Sequence, residues 1–184
     1  MTVTIALIPH PATPPTPELG LGVTVEIERA GAALALRYTL SGKIGSLVEN
    51  PFRERVRTDE LWKSTCFEAF IAGAREGRYH ELNFDPNGAW AAYSFDGYRG
   101  AMRDTAVTPE TDVYHEGHGH YLVRARVDYA SLDDLATPDS WRLGLTAVIE
   151  EADGTKSYWA LAHPRDEPDF HHAGGRVLEL PAAG

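Results

Sequence analysis

The sequence predicts an all-β chain, an antiparallel β-sandwich of jelly-roll type with about ten strands. Three observations carry that expectation. Apolar and polar residues alternate with a period of two through many short runs, as in a strand with one buried face. Gly, Pro, Asn and Asp fall between those runs at short intervals, where turns need them. No stretch repeats apolar residues at helical spacing for long enough to build a core helix.

Each element follows from its residues. Positions 3–8 (VTIALI) read as a short strand closed by Pro9 and Pro11. Pro14, Pro15 and Pro17 then forbid regular structure and predict an extended crossing segment. The alternating runs 22–28 and 33–40 are joined by Arg29-Ala30-Gly31, a hairpin signature. Positions 41–59 are irregular. A meander follows, with strands 65–73 (TCFEAFIAG), 79–85 (YHELNFD) and 89–95 (AWAAYSF), and turns at AREGR and Pro86-Asn87-Gly88. Segment 98–105 (YRGAMRDT) is mixed. Runs 111–115 and 120–129 form another hairpin across EGHG, and 131–135 predicts one helical turn capped by Ser131. Runs 141–151 and 156–162 form a third hairpin, and a Pro-rich loop, HPRDEPDFHH (163–172), leads to a last strand at 176–180. No repeat or composition break divides the chain, so 1–184 is read as one domain.

Composition excludes several functions. The chain is 43% hydrophobic and 24% charged, a balance that folds rather than one that stays disordered. Its 17 basic residues face 27 acidic ones, a net charge of −10, with no Lys/Arg cluster for nucleic acid. The same charge disfavours an anionic membrane surface, and no run approaches the ~18 apolar residues of a membrane span. The first residues carry no basic n-region, so the expected location is cytoplasmic. Cys66 is the sole cysteine and reads as a buried, inert thiol. His115, His118 and His120 surround a glycine turn, which seldom converges zinc ligands, so no metal is expected. There is no G-x-S-x-G elbow, and Ile44 after Gly42-Lys43 rules out a phosphate loop. The expected partner is a small-molecule ligand.

Alternation places Cys66, Glu68 and Phe70 on one face of their strand, opposite Phe67, Ala69 and Ile71. Tyr79, Glu81, Asn83 and Asp85 share a face in the next strand, opposite His80, Leu82 and Phe84. A Glu between Cys and Phe in a central strand needs either a partner, for which Arg99 and Arg103 are the candidates, or a polar cavity. Aromatic residues surround the stretch: Trp62, Tyr79, Trp90, Tyr93, Tyr98, and later Tyr158 and Trp159. Flat rings cover the C–H face of a sugar while carboxylates and amides engage its hydroxyls. The expected ligand site is therefore Glu68, Glu81, Asn83, Trp90, Arg99 and Trp159, with His163 and His172 supplied by the 163–172 loop closing over the sheet. In that loop His171 and His172 are adjacent, so at most one of the two faces any pocket.

The runs LWKSTCFEAFI and YHELNFDPNGAWAAYSFDGYR resemble the DOMON-like domains, the superfamily that includes the family-nine carbohydrate-binding modules. The shared pattern is Trp62, the E-x-F-I strand with Glu68, then Tyr79, Glu81 and Asn83, a glycine turn and an aromatic strand. The closing YWALAHP and PDFHH are similar to the end of a bacterial subgroup of DOMON-like proteins. The resemblance implies a sandwich with a ligand site for sugar or haem. The leading expectation is a non-catalytic carbohydrate-binding domain. The alternatives are a glycoside hydrolase using Glu68 and Glu81 as its carboxylate pair, and a b-type haem domain with Met102 opposite His163, His171 or His172.

Overall fold

The computed structural model describes residues 2–50, 55–73, 75, 77–116, 119–136 and 139–182. Its strands are β1 (Val3–Ala6), β2 (Ile8–Pro9), β3 (Gly22–Ala30), β4 (Ala33–Ser41), β5 (Cys66–Ala72), β6 (Arg78–Phe84), β7 (Trp90–Asp96), β8 (Arg103–Asp104), β9 (Glu110–Glu116), β10 (His120–Asp128), β11 (Trp141–Glu150), β12 (Lys156–Ala160) and β13 (Leu178–Leu180). They form two antiparallel sheets, one ordered β1-β3-β4-β10-β9 and the larger ordered β2-β12-β11-β5-β6-β7-β8, with β13 also paired to β11. The predicted sandwich is what the chain forms. The parts of the expected turns at 74, 76, 117 and 118, including His118, lie outside the described residues, as does 51–54 of the irregular segment.

Residues of alternating parity build the core. Val23, Val25 and Ile27 of β3 and Leu34, Leu36, Tyr38 and Leu40 of β4 meet Phe67, Ala69 and Ile71 of β5 and Leu143, Leu145 and Ala147 of β11. Each such large apolar side chain contributes about 1.5–3 kcal/mol by leaving water. The buried Tyr38 hydroxyl donates to the Glu68 carbonyl at 2.6 Å and so bridges the two sheets.

Two expectations are corrected. The strand read at 3–8 is two strands in different sheets, because the chain crosses between layers at Leu7, which is buried between them. Segment 131–135 does close one helical turn, with Ala136 N–H donating to Leu132 O at 2.7 Å after a tighter turn in which Leu132 N–H donates to Tyr129 O, but among the described residues Ser131 makes no capping hydrogen bond. Those turns seat Asp134 beside β6, where its carboxylate lies 2.9 Å from His80 Nε2, and press its carbonyl against the bare Cα of Gly73.

One feature of the larger sheet positions the site. β5, β6 and β7 are buried on both faces over nearly their whole length. Their inner face belongs to the core. Their outer face carries a second apolar cluster containing Cys66, Phe70, Tyr79, Ala91, Tyr93 and Phe95, covered by Leu61, Trp62 and Phe170 from two loops.

Candidate ligand site on the outer face of the larger sheet

The outer face is built by register. In β5, Glu68 stands opposite Asn83 of β6 on one side and Thr146 of β11 on the other, while Phe70 stands opposite Glu81. Glu68 and Glu81 are thus diagonal neighbours on adjacent strands, with Cβ atoms roughly 7–8 Å apart or somewhat less. Both are nearly inaccessible, Glu68 at 2% and Glu81 at 5% exposure. Thr146 Oγ1 donates to Glu68 Oε2 at 3.1 Å, and Asn83 Nδ2 donates to Glu81 Oε1 at 2.7 Å.

These carboxylates form the floor of a cavity of about 360 Å³. Phe70 and Phe95 flank them, Val148 and Tyr158 extend the floor, and Trp62, Arg99, Met102, Pro168, Phe170 and His171 enclose it from the loops. The volume is near the lower end for small-molecule pockets and equals about a dozen waters.

The loop between β12 and β13 is pinned over the sheet. The Tyr79 hydroxyl lies 2.8 Å from His171 Nδ1 and accepts the Arg99 N–H at 3.2 Å. The His171 ring packs edge-on to Phe70 and Phe95 at 5.2 and 5.1 Å, and Phe170 meets Phe70 and Tyr158. Asp169 accepts from the Tyr98 hydroxyl at 2.8 Å and from Arg99 Nη2 at 3.3 Å. Arg99 reaches this place with a left-handed backbone (φ 52°), a conformation that costs a non-glycine residue about 1–2 kcal/mol.

Burial dominates the electrostatics. It pushes the Glu68 carboxyl well above the usual carboxylate range, the nearby Glu81 adds to the rise, and the Thr146 hydrogen bond opposes it. It pushes Glu81 up to about 7 against the Asn83 hydrogen bond and the Arg99 charge. It pushes His171 down to about 4, helped by Arg99 and opposed by Asp169. His171 Nε2 and Glu81 Oε2 are 3.8 Å apart, but a neutral imidazole makes no ion pair at neutral pH. With His171 neutral, a Tyr79 hydroxyl that donates to Nδ1 puts the ring hydrogen on Nε2, which faces Glu81 from beyond hydrogen-bond distance.

The structure brings together part of the expected set. Glu68, Glu81 and Arg99 line one cavity. Asn83 faces the same side but is fully buried beneath, holding Glu81 in place. Trp90 and Trp159 point the other way, into the core. Trp90 shares its parity with Ala92, and Trp159 with Ser157, whose Oγ accepts the indole N–H at 2.9 Å. The neighbour of Trp159, Tyr158, is the ring that faces the cavity. His163 lies 2.9 Å from the Ile8 carbonyl and packs on His10, and His172 accepts the Gly174 N–H through Nδ1, so neither borders the cavity. His171 takes the position instead. Neither arginine pairs with Glu68, since Arg99 holds Asp169 and Arg103 holds Asp96. Phe70 and Phe95 were legible from parity with Glu68 and Tyr93. Tyr158 and His171 had no comparable signal.

No protein-family model matches the chain, and no curated protein matches it in sequence. Solved structures match its fold. A structure from Bacteroides uniformis to which carbohydrate binding is ascribed superposes with TM-score 0.69 at 12% identity, covering 95% of this chain and 84% of that one. A family-nine carbohydrate-binding module from Caldicellulosiruptor kristjanssonii, in complex with cellotriose, superposes with TM-score 0.52 at 10% identity, covering 88% and 74%. The chain therefore has a fold like that of the family-nine carbohydrate-binding modules.

Proposed function

We propose that the cavity binds a small carbohydrate of one or two sugar units and does not transform it. The observation that carries this reading is the pairing of two cavity-facing carboxylates, Glu68 and Glu81, with aromatic rings around one opening of about 360 Å³. Rings such as Trp62 and Phe95 suit the C–H face of a sugar, and carboxyl oxygens accept from its hydroxyls. The fold likeness to a module that carries cellotriose points the same way. So does the stretch 61–99, whose residues resemble those of DOMON-like domains and which supplies Trp62, Glu68, Phe70, Glu81, Phe95 and Arg99 of the lining.

Hydrolysis fits less well. A glycosidase sets its two carboxyls on either side of the bond it cuts. Here the two stand side by side on the same face of adjacent strands, in the floor of the cavity. Haem also fits poorly. Met102 and His171 both border the cavity, yet its floor holds two carboxyl groups where haem needs a largely apolar slot.

A twelve-atom monosaccharide at about 0.3 kcal/mol per atom gains ~4 kcal/mol, which is millimolar binding. Of four tryptophans, Trp62 alone borders the cavity. Millimolar mono- and disaccharides should shift the tryptophan emission, and Trp62→Phe should abolish that shift. A panel of neutral and charged sugars without any response in fluorescence or amide NMR would refute the proposal.

A further inference from the structure

The floor of the cavity holds acceptors that the protein itself leaves open. Glu68 and Glu81 each receive one hydrogen bond, from the neutral donors Thr146 and Asn83. Among the described residues, Glu68 Oε1 and Glu81 Oε2 accept none. Buried carboxylates are ordinarily matched by a cation, because an unpaired charge out of water is costly. Among the described residues no arginine or lysine forms an ion pair with either carboxyl, and the Arg99 charge acts on Glu81 only from the rim. Arg99, at the rim, is committed to Asp169 at 3.3 Å. Arg176 lies over the Tyr79 ring, 4.5 Å from its centroid, and donates to the His171 carbonyl.

The walls add a second indication. Trp62, Phe70, Phe95, Tyr158 and Phe170 line the same cavity as the two carboxyls. Ring faces attract a cation through their quadrupoles, most strongly where water is excluded, and rings around a carboxylate suit ammonium groups. An ammonium also has several N–H donors to spend, enough for both oxygens.

We propose that the ligand carries an ammonium group, which would make it an amino sugar, with its nitrogen donating to Glu68 Oε1 and Glu81 Oε2 beneath the rings. The sugar part of this inference rests on the carbohydrate reading above, and the ammonium part rests on the floor. Binding then exchanges protons on the carboxyl pair for the ligand's charge, so affinity rises with pH through the range where Glu81 ionises. The other titratable groups around the pair are Tyr38 on β4, Cys66 on β5, Tyr79 on β6, Tyr93 on β7 and Tyr158 on β12. From the loops come Arg99, Asp169, His171 and Arg176. His171 is neutral throughout that range, and the arginines stay charged.

The experiment is a titration of the whole chain with glucosamine, glucose and tetramethylammonium chloride at pH 5.5 and pH 7, read by tryptophan fluorescence and calorimetry. The expected result is glucosamine binding about ten-fold tighter than glucose at pH 7 and several-fold tighter at pH 7 than at pH 5.5. The Glu68→Gln, Glu81→Gln double variant should bring glucosamine down to the affinity of glucose. Equal affinity for the two sugars, or no pH dependence for glucosamine, would overturn the ammonium inference and leave the carbohydrate reading intact. Binding of tetramethylammonium but of neither sugar would support cation recognition and overturn the carbohydrate reading. Silence from all three would overturn both.

Discussion

Glu81→Gln should stabilise the protein at pH 8 and change it little at pH 5. Burial raises the Glu81 carboxyl from 4.5 to about 7. At ~1.4 kcal/mol per pH unit, the ionised form costs the native state up to about 3 kcal/mol. Glu68 shares the effect through its own raised carboxyl, so that figure belongs to the pair and bounds the gain from one substitution. A carboxyl that holds its proton more tightly when folded adds stability in full below its unfolded value near 4.5, and that contribution is lost as pH rises through about 7. Gln imitates the protonated acid at every pH and keeps the oxygen that accepts from Asn83. For a chain of this length the gain at pH 8 corresponds to a Tm increase of up to about 6–12 °C. His171 works in the opposite direction: its contribution is full above 6.5 and lost as pH falls through about 4. It is present in both proteins and cancels between them. Thermal unfolding followed by circular dichroism at pH 5 and pH 8, at matched ionic strength, reads the difference. An equal Tm shift at the two pH values, or a loss of stability at pH 8, would refute the claim that burial outweighs the Asn83 and Arg99 interactions at Glu81.

Gly73→Ala would place a Cβ 2.0 Å from the Asp134 carbonyl oxygen, backbone against backbone. Displacing the 131–136 turns should cost about 1–3 kcal/mol in chemical denaturation, and an unchanged midpoint would mean that those turns do not pack on β5 as described. Tyr79→Phe removes the hydroxyl shared by His171 and Arg99. It should cost about 1–2 kcal/mol and speed amide exchange in the 161–177 loop while leaving β3 and β4 protected; exchange at the wild-type rate would show that the loop is held by its rings alone.

The sandwich was legible because a strand's period is short and local. The runs at 22–28 and 33–40 alternate strictly, and β3 and β4 pair across them residue by residue. The same counting put Glu68 with Phe70, and Glu81 with Asn83, on shared faces. It failed for the tryptophans for a definite reason. β7 is apolar on both faces, with Trp90 and Ala92 on one and Ala91, Tyr93 and Phe95 on the other. Parity separates the two sets but does not say which is the core. The choice between Tyr158 and Trp159 had the same ambiguity.

The chain's own order of residues determined that it is all β, which side chains travel together on a strand, and that acidic groups sit among aromatic ones between residues 61 and 99. Those properties depend on neighbours within a few positions. Tertiary structure alone decided that β11, some seventy positions downstream, would lie beside β5 and bring Thr146 to Glu68, and that His171 rather than His172 would roof the cavity. Strand order and the path of an aperiodic loop follow from how two sheets bury their apolar faces against each other. That balance is set across the whole molecule, and no local pattern records it.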